Sequence, residues 1–195
     1  MHASVLELIG NTPLVPLRRI VPAGSARVLV KLESTNATGS MKDRAALAIV
    51  QRAAESGRLE PGGTIVECTS GSTGTSLASV AVALGYHCLL VSSDAFSDEK
   101  LAHMQALGAE LQIVRSDNKR ITAELVRTMI EASRQLSLKP HHFWADQFNN
   151  LDVLTGYRGM ARRNLASDER SRRCFRAGCR HGGIIARHRR GSYAA

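Results

Sequence analysis

Lys42 lies between a polar, glycine-containing loop and an alanine-rich run with apolar residues at helical spacing. A lysine beside a helix N-terminus meets the positive end of the helix dipole, which disfavours its ammonium form. A lysine with a lowered pKa is the amine nucleophile that Schiff-base chemistry requires. The plainer alternative is a solvated lysine in a cap region, with Asp43 and Arg44 as first-turn charges. A second chemical segment runs E-C-T-S-G-S-T-G-T-S-L-A from Glu67 to Ala78. There Thr69, Ser70, Gly71, Ser72, Thr73 and Gly74 separate an apolar strand from a helix of small residues. Glycines let the backbone approach an anion, a helix start aims N–H groups at it, and the hydroxyls add donors. The loop therefore suits a carboxylate or a phosphate, or else is a polar helix cap. It is neither a G-x-G-x-x-G fingerprint nor a P-loop, since no Gly-Lys-Ser/Thr follows. A third segment, H-F-W-A-D-Q-F-N-N from His142 to Asn150, puts Gln147 and two asparagines past a strand end. Amides there either orient a substrate or form plain turns.

These segments need elements that bring strand ends and helix starts together. Strands are expected at Val28–Glu33, Thr64–Cys68, His87–Ser92, Glu110–Arg115 and His142–Asp146. Helices are expected at Asp43–Ser56, Gly74–Leu84, Asp98–Leu107 and Ile121–Leu136, several of them closed by glycine. Such alternation means parallel strands with helical crossovers, an α/β fold with an open, doubly wound, mostly parallel sheet. Ligands of such sheets gather at the carboxyl ends of the strands, where each of the three segments falls.

At 195 residues and 44% hydrophobic content the chain has room for one core and part of another. No apolar run approaches the span of a bilayer, and residues 1–10 lack the basic and apolar regions of a secretory signal. Cys68, Cys88, Cys174 and Cys179 show no disulfide framework, so a reduced, cytoplasmic setting is expected. The net charge of +9 is unevenly placed: residues 1–160 carry 16 basic against 15 acidic side chains, residues 161–195 ten arginines against two acids.

In combination, four blocks resemble the fold-type II pyridoxal-phosphate (PLP) enzymes, in particular the cysteine synthase and cystathionine β-synthase family. Gly10-Asn11-Thr12-Pro13-Leu14 matches the G-N-T-P-L opening, and Lys31 to Arg44 matches K-x-E-x-x-N-P-x-G-S-x-K-D-R. Thr69 to Gly74 matches T-S-G-N-T-G, and Asp146 to Asn149 matches D-Q-F-x-N. The resemblance covers residues 5 to about 160. It implies a tryptophan synthase β-subunit-like fold, with residues 1–38 as N-terminal strands of the larger domain and 39–155 as the smaller domain. Residues 156–195 would begin the return to the larger domain, which stays incomplete. It implies that Lys42 holds PLP as a Schiff base and moves the proton at the substrate α-carbon. Thr69, Ser70, Gly71, Thr73 and Gln147 would bind the substrate carboxylate, and Ser72 would face the cofactor's 3′-oxygen. The implied reaction is β-replacement or β-elimination on a small amino acid with sulfide or a thiol, as in cysteine synthase or cysteine desulfhydrase, in a homodimer. No metal is implied. Ala37, Ser72 and Asn150 depart from the family's Pro, Asn and Pro. Ser72 offers a shorter and less directional partner, which tilts the reading toward a desulfhydrase branch.

After Met160 the resemblance stops, and the family's Gly-rich phosphate loop and its pyridine-nitrogen partner are missing. Ten arginines could neutralise nucleic-acid phosphates. Cys174, Cys179 and His181 fit no common zinc spacing. The favoured reading is a shifted frame from about residue 161. Codons offset by one base from Cys179 onward permit V-G-T-A-A-S, the missing phosphate loop, and across Asn164–Ala166 they permit I-W. On that reading nucleic-acid binding falls away, and apolar faces meant for the larger domain stay exposed. The alternative functions are a non-catalytic remnant or a basic-tailed nucleic-acid-binding protein.

Overall fold

The computed structural model describes residues 4–24, 28–166, 174–176 and 185–187. Two compact units divide the chain at residues 159 and 160. The first is built on four parallel strands, β3 (Thr64–Cys68), β4 (His87–Ser93), β5 (Glu110–Val114) and β6 (His142–Trp144), in the order β5-β4-β3-β6. Ile65 pairs with Cys88 on one side and Phe143 on the other. The order reverses at β3, so the sheet is doubly wound, as the alternation of elements predicts.

Both faces are covered, which is why β3 and β4 carry apolar and β-branched residues in both directions. On one face α1 (Lys42–Glu55), α2 (Ser72–Leu84) and α3 (Asp98–Ala106) bury Ile49, Val50, Leu77, Val80 and Met104 against Ile65 and Leu90. On the other, α4 (Ala123–Ser137) sets Leu125 and Met129 against Cys68 and Val91. The hydroxyl of Thr122 caps α4 by accepting the Leu125 N–H at 3.1 Å.

Several boundaries differ from expectation. The strand expected to reach Glu33 is β2 (Leu29–Lys31), and Glu33–Thr35 turn into a 3-10 helix. The strand expected to reach Asp146 ends at Trp144. An unforeseen strand, β1 (Leu14–Pro16), pairs antiparallel with β2, Val15 opposite Val30. These two strands form a sheet of their own. Apolar side chains do stand open around them and beside the start of α5 (Asp152–Ala166): Ile20 and Leu151 are more than three-quarters exposed, and Val5, Leu8, Phe148 and Leu154 are exposed as well.

Helix α5 carries the chain across the unit boundary. In the second unit β7 (Cys174–Arg176) and β8 (Ile185–Arg187) pair antiparallel, Phe175 opposite Ala186. The readings that rest on Cys179, on His181 and on the remaining tail residues lie outside the described residues.

Candidate active site

The loop from Leu32 to Met41 delivers Lys42, and its shape is fixed by buried polar groups. Asn36 is 5% exposed; its side-chain carbonyl accepts the Gly10 N–H at 2.8 Å, and its amide donates to the Glu33 and Ser40 carbonyls at 3.0 Å. The Thr12 hydroxyl donates to Glu33 Oε1 at 2.7 Å. Arg44 donates through Nε to Glu33 Oε2 at 2.8 Å and through Nη2 to Thr12 Oγ1 at 2.9 Å. Burial raises the Glu33 pKa, but the bonds from Arg44, Thr12 and Asn36 and the guanidinium charge outweigh it and hold the carboxyl below its ordinary range. Asp43, fully buried, accepts the Thr38 N–H at 2.8 Å, the Ser76 hydroxyl at 2.5 Å and the Thr38 hydroxyl. The start of α1 is thereby tied to α2.

Asp43 and Arg44 are thus not solvated first-turn charges. Together with Glu33 and Asn36 they hold the loop, a role the sequence reading did not assign. The available signal was three adjacent ionisable residues on one helix start. Lys42 is the third. It is the first residue of α1 rather than the residue before it, it is half-buried, and among the described residues its amine has no hydrogen-bond or ion partner.

Helix α2 begins at Ser72, two residues earlier than expected, so Ser72 and Thr73 belong to its first turn. Gly71 is the N-cap, at φ +154°, a conformation that favours glycine. Lacking a side chain, it cannot cap the helix. Thr69 does so instead, its hydroxyl accepting the N–H groups of Gly71 and Gly74 at 3.1 Å. The N–H groups of Ser70, Ser72 and Thr73 have no acceptor among the described residues, and Ser70 and Ser72 are exposed. This is an open helix start able to receive an anion. Gly74 lets α2 pass close to α3: a Cβ there would lie 2.5 Å from Met104 Sδ and from Thr69 Cγ2. Gly74→Ala is therefore expected to cost about 1–3 kcal/mol by overpacking, read as a lowered urea midpoint at unchanged slope.

Gln147 joins this loop from the segment after β6. Its side-chain carbonyl accepts the Thr73 hydroxyl at 2.6 Å and its amide donates to the Cys68 carbonyl at 2.9 Å. Its backbone N–H donates to Glu67 Oε2 at 2.9 Å. The neighbouring asparagines take the plainer role: Asn149 bonds back to Asp146, and Asn150 to the Ala145 carbonyl and the Asp152 N–H.

Glu67 was not singled out in the sequence. It is 1% exposed, and burial pushes its pKa up to about 7 against the N–H groups of Gln147 and Cys68, which pull it down. The folded chain therefore holds a proton that the unfolded chain releases near pH 4.5. That contribution to stability is complete below the unfolded value and is lost as pH rises toward 7, about 3 kcal/mol in all. Urea midpoints measured from pH 4.5 to 7.5 should fall accordingly, and Glu67→Gln should flatten this component. Burial also pushes the Cys68 and Cys88 thiols up to about 12, helped by the Glu67 charge, which leaves both inert.

The structure thus brings Thr69, Ser70, Gly71, Ser72, Thr73 and Gln147 into one cluster. Lys42 stands on the neighbouring helix start, fixed through Asp43 and Ser76. The arrangement offers an uncommitted Lys42 amine on a helix start that Asp43 and Ser76 tie to α2, and a second helix start whose first N–H groups are free, at the carboxyl edge of a parallel sheet. Among the described residues no group of histidine, cysteine and carboxylate side chains could hold a metal, and no helix is long and apolar enough to cross a membrane.

A family model described as pyridoxal-phosphate dependent enzyme matches residues 5–186. Cysteine synthase B of Salmonella typhimurium is 42% identical over 150 residues, which are 75% of this chain and 46% of that relative. Cysteine synthase of Staphylococcus aureus is 38% identical over 147 residues, again 75% and 46%. Among solved structures, O-ureido-L-serine synthase superposes with TM-score 0.74 at 37% identity, covering 86% of this chain and 51% of that one. A hydrogen sulfide-producing enzyme from Fusobacterium nucleatum does so with TM-score 0.73 at 30% identity, covering 86% and 53%. The chain spans about half the length of the relatives it matches. Sheet, site and matches define an α/β enzyme of PLP fold type II. The chain belongs to the pyridoxal-phosphate-dependent enzymes, and the curated relatives it is similar to are named cysteine synthases.

The residues present fit the reactive end of PLP. Lys42 offers an uncommitted amine, and Ser72 stands exposed at the start of α2, where N–H groups are free. The family's phosphate loop is missing from the sequence, and the residues across which an offset frame would permit it lie outside the described ones.

Proposed function

We propose that this chain carries the catalytic lysine and the carboxylate subsite for β-replacement or β-elimination on a small amino acid. The leading assignment is cysteine synthase chemistry, O-acetylserine or serine plus sulfide giving cysteine. The observation that carries it is the uncommitted Lys42 amine on a helix start that Asp43 and Ser76 tie to α2. Bound PLP supplies an electron sink for negative charge at the substrate α-carbon. Lys42 would hold the cofactor through its amine, and that amine would take and return the α-carbon proton. The N–H groups of Ser70, Ser72 and Thr73 receive the substrate carboxylate, together with Gly71 and with Thr69 as the side chain that shapes the turn. Gln147 orients Thr73, and the Ser72 hydroxyl faces the cofactor's 3′-oxygen.

A second reading, cysteine desulfhydration, is favoured by Ser72 standing where the family has Asn, and the hydrogen sulfide-producing neighbour supports it. On either reading residues 39–155 are the smaller domain, and residues 1–38 with those from 156 onward belong to the larger one. The partners are a small amino acid, sulfide or a thiol, and a second copy of the chain. A cytoplasmic setting fits the free, buried Cys68 and Cys88.

The test is direct. Purified full chain mixed with PLP should develop a visible absorbance band, and borohydride should fix the added mass on the peptide that contains Lys42. Adduct on other lysines alone would sink the proposal. Cysteine formed from O-acetylserine and sulfide favours the first reading; pyruvate and sulfide released from cysteine favour the second.

A further inference from the structure

We propose that Glu67 is a positioning residue that locks Gln147, and through it Thr73, so that two separate chain segments present the carboxylate subsite as one rigid unit. This rests on the carboxylate-subsite reading above. Glu67 points from β3 into the apolar layer under α1 and α2, beside Ile65 and Leu90. A carboxyl group there is costly unless donors surround it. The donors come from both sides of the site: the Cys68 N–H at 2.9 Å from its own strand, and the Gln147 N–H at 2.9 Å from the loop after β6. The Gln147 side-chain amide lies 3.5 Å from Glu67 Oε1 and donates to the Cys68 carbonyl at 2.9 Å.

An amide has a fixed polarity, donor on one end and acceptor on the other. With its nitrogen held at Cys68 and Glu67, the Gln147 carbonyl must face α2, where it takes the Thr73 hydroxyl. Thr73 is in this way oriented by a residue it does not touch. The bonds to Gln147 and Cys68 are strongest when Glu67 is ionised and both its oxygens accept. The titratable groups around it are Cys68 on β3, Cys88 on β4 and Asp146 at the head of the Gln147 loop. Helix α2 brings none, α1 brings Asp43 bound to Ser76, and no basic residue pairs with Glu67 among the described residues.

Two measurements test this on the full chain. In the first, 13C and 15N NMR follow the Glu67 carboxyl, the Gln147 backbone amide and Thr73 of the unliganded protein from pH 5 to 8.5. A shared midpoint for the three signals is expected; Gln147 and Thr73 signals that ignore the Glu67 transition would overturn the proposal. No variant is needed, so misfolding cannot obscure the result. In the second, Glu67→Gln places an amide nitrogen against one of the N–H groups. Affinity for L-serine should fall about 10- to 100-fold, while PLP still attaches to Lys42. Unchanged L-serine affinity in a folded variant would also overturn it. If PLP fails to attach to Lys42 in the unaltered chain, it is the functional reading that fails, and the NMR result still decides the role of Glu67.

Discussion

Arg44→Met is expected to destabilise the first unit by about 3–5 kcal/mol, the cost of removing one partner of a buried ion pair. The guanidinium is 6% exposed and the Glu33 side chain 19%, so little water can replace the lost bonds. Methionine fills part of the volume but leaves Glu33 with the Thr12 hydroxyl and the Asn36 amide as its only described donors. Its pKa then loses its main downward influence, and burial pushes it up. Native domains hold only about 5–15 kcal/mol in reserve, so the change takes a large share of it. The measurement is a urea or thermal melt at pH 7. Adding Glu33→Leu should recover part of the loss, because a pair removed together leaves no orphan charge. A single variant that melts within about 0.5 kcal/mol of the parent would show that the pair is not the tie described.

Lys42→Ala should do the opposite, leaving the fold and removing the chemistry. The side chain has no partner among the described residues, and alanine is the best helix former at that position. The melt should shift by no more than about 0.5 kcal/mol. The PLP-dependent visible band should vanish, and any turnover should drop at least about 10²–10⁴-fold, the range expected for loss of a positioned acid-base group. Parallel melts and absorbance scans check both halves. A variant that keeps the band would move the catalytic amine to another lysine.

The contrast between Lys42 and its neighbour shows how far sequence reasoning reaches. Strand β3 was read residue for residue, and the doubly wound sheet followed from alternating periods alone. The turn from Thr69 to Thr73 is legible because glycines and hydroxyls between a strand and a helix mark a helix start. What failed did so for physical reasons. Leu14–Pro16 is too short and too proline-marked to read as a strand, and its partner lies across a connection of more than ten residues. Ser72 and Thr73 look like loop residues because the cap that admits them to the helix is Thr69, outside the usual cap position. The sequence offers Arg44 only as a first-turn charge on the plainer alternative and Glu33 only as a strand end, and the fold shows that each is the other's partner. Glu67 hides in a strand covered on both faces, where alternation no longer separates inside from outside.

The small sheet of β1 and β2 has a consequence for the order in which the molecule opens. A lone pair of strands is marginal in water. This one is moored by the polar knot around Glu33 and Arg44 and by the preceding segment, whose half-buried Leu6 and Ile9 pack against the core. In hydrogen exchange the amides across Val15 and Val30 should therefore trade with deuterium long before those of β3 and β4, as a separate opening event. The knot that shapes the Lys42 loop is also its mooring. Each time the arm lifts away, the loop that presents the lysine should lose its form, and it should regain it when the arm settles back.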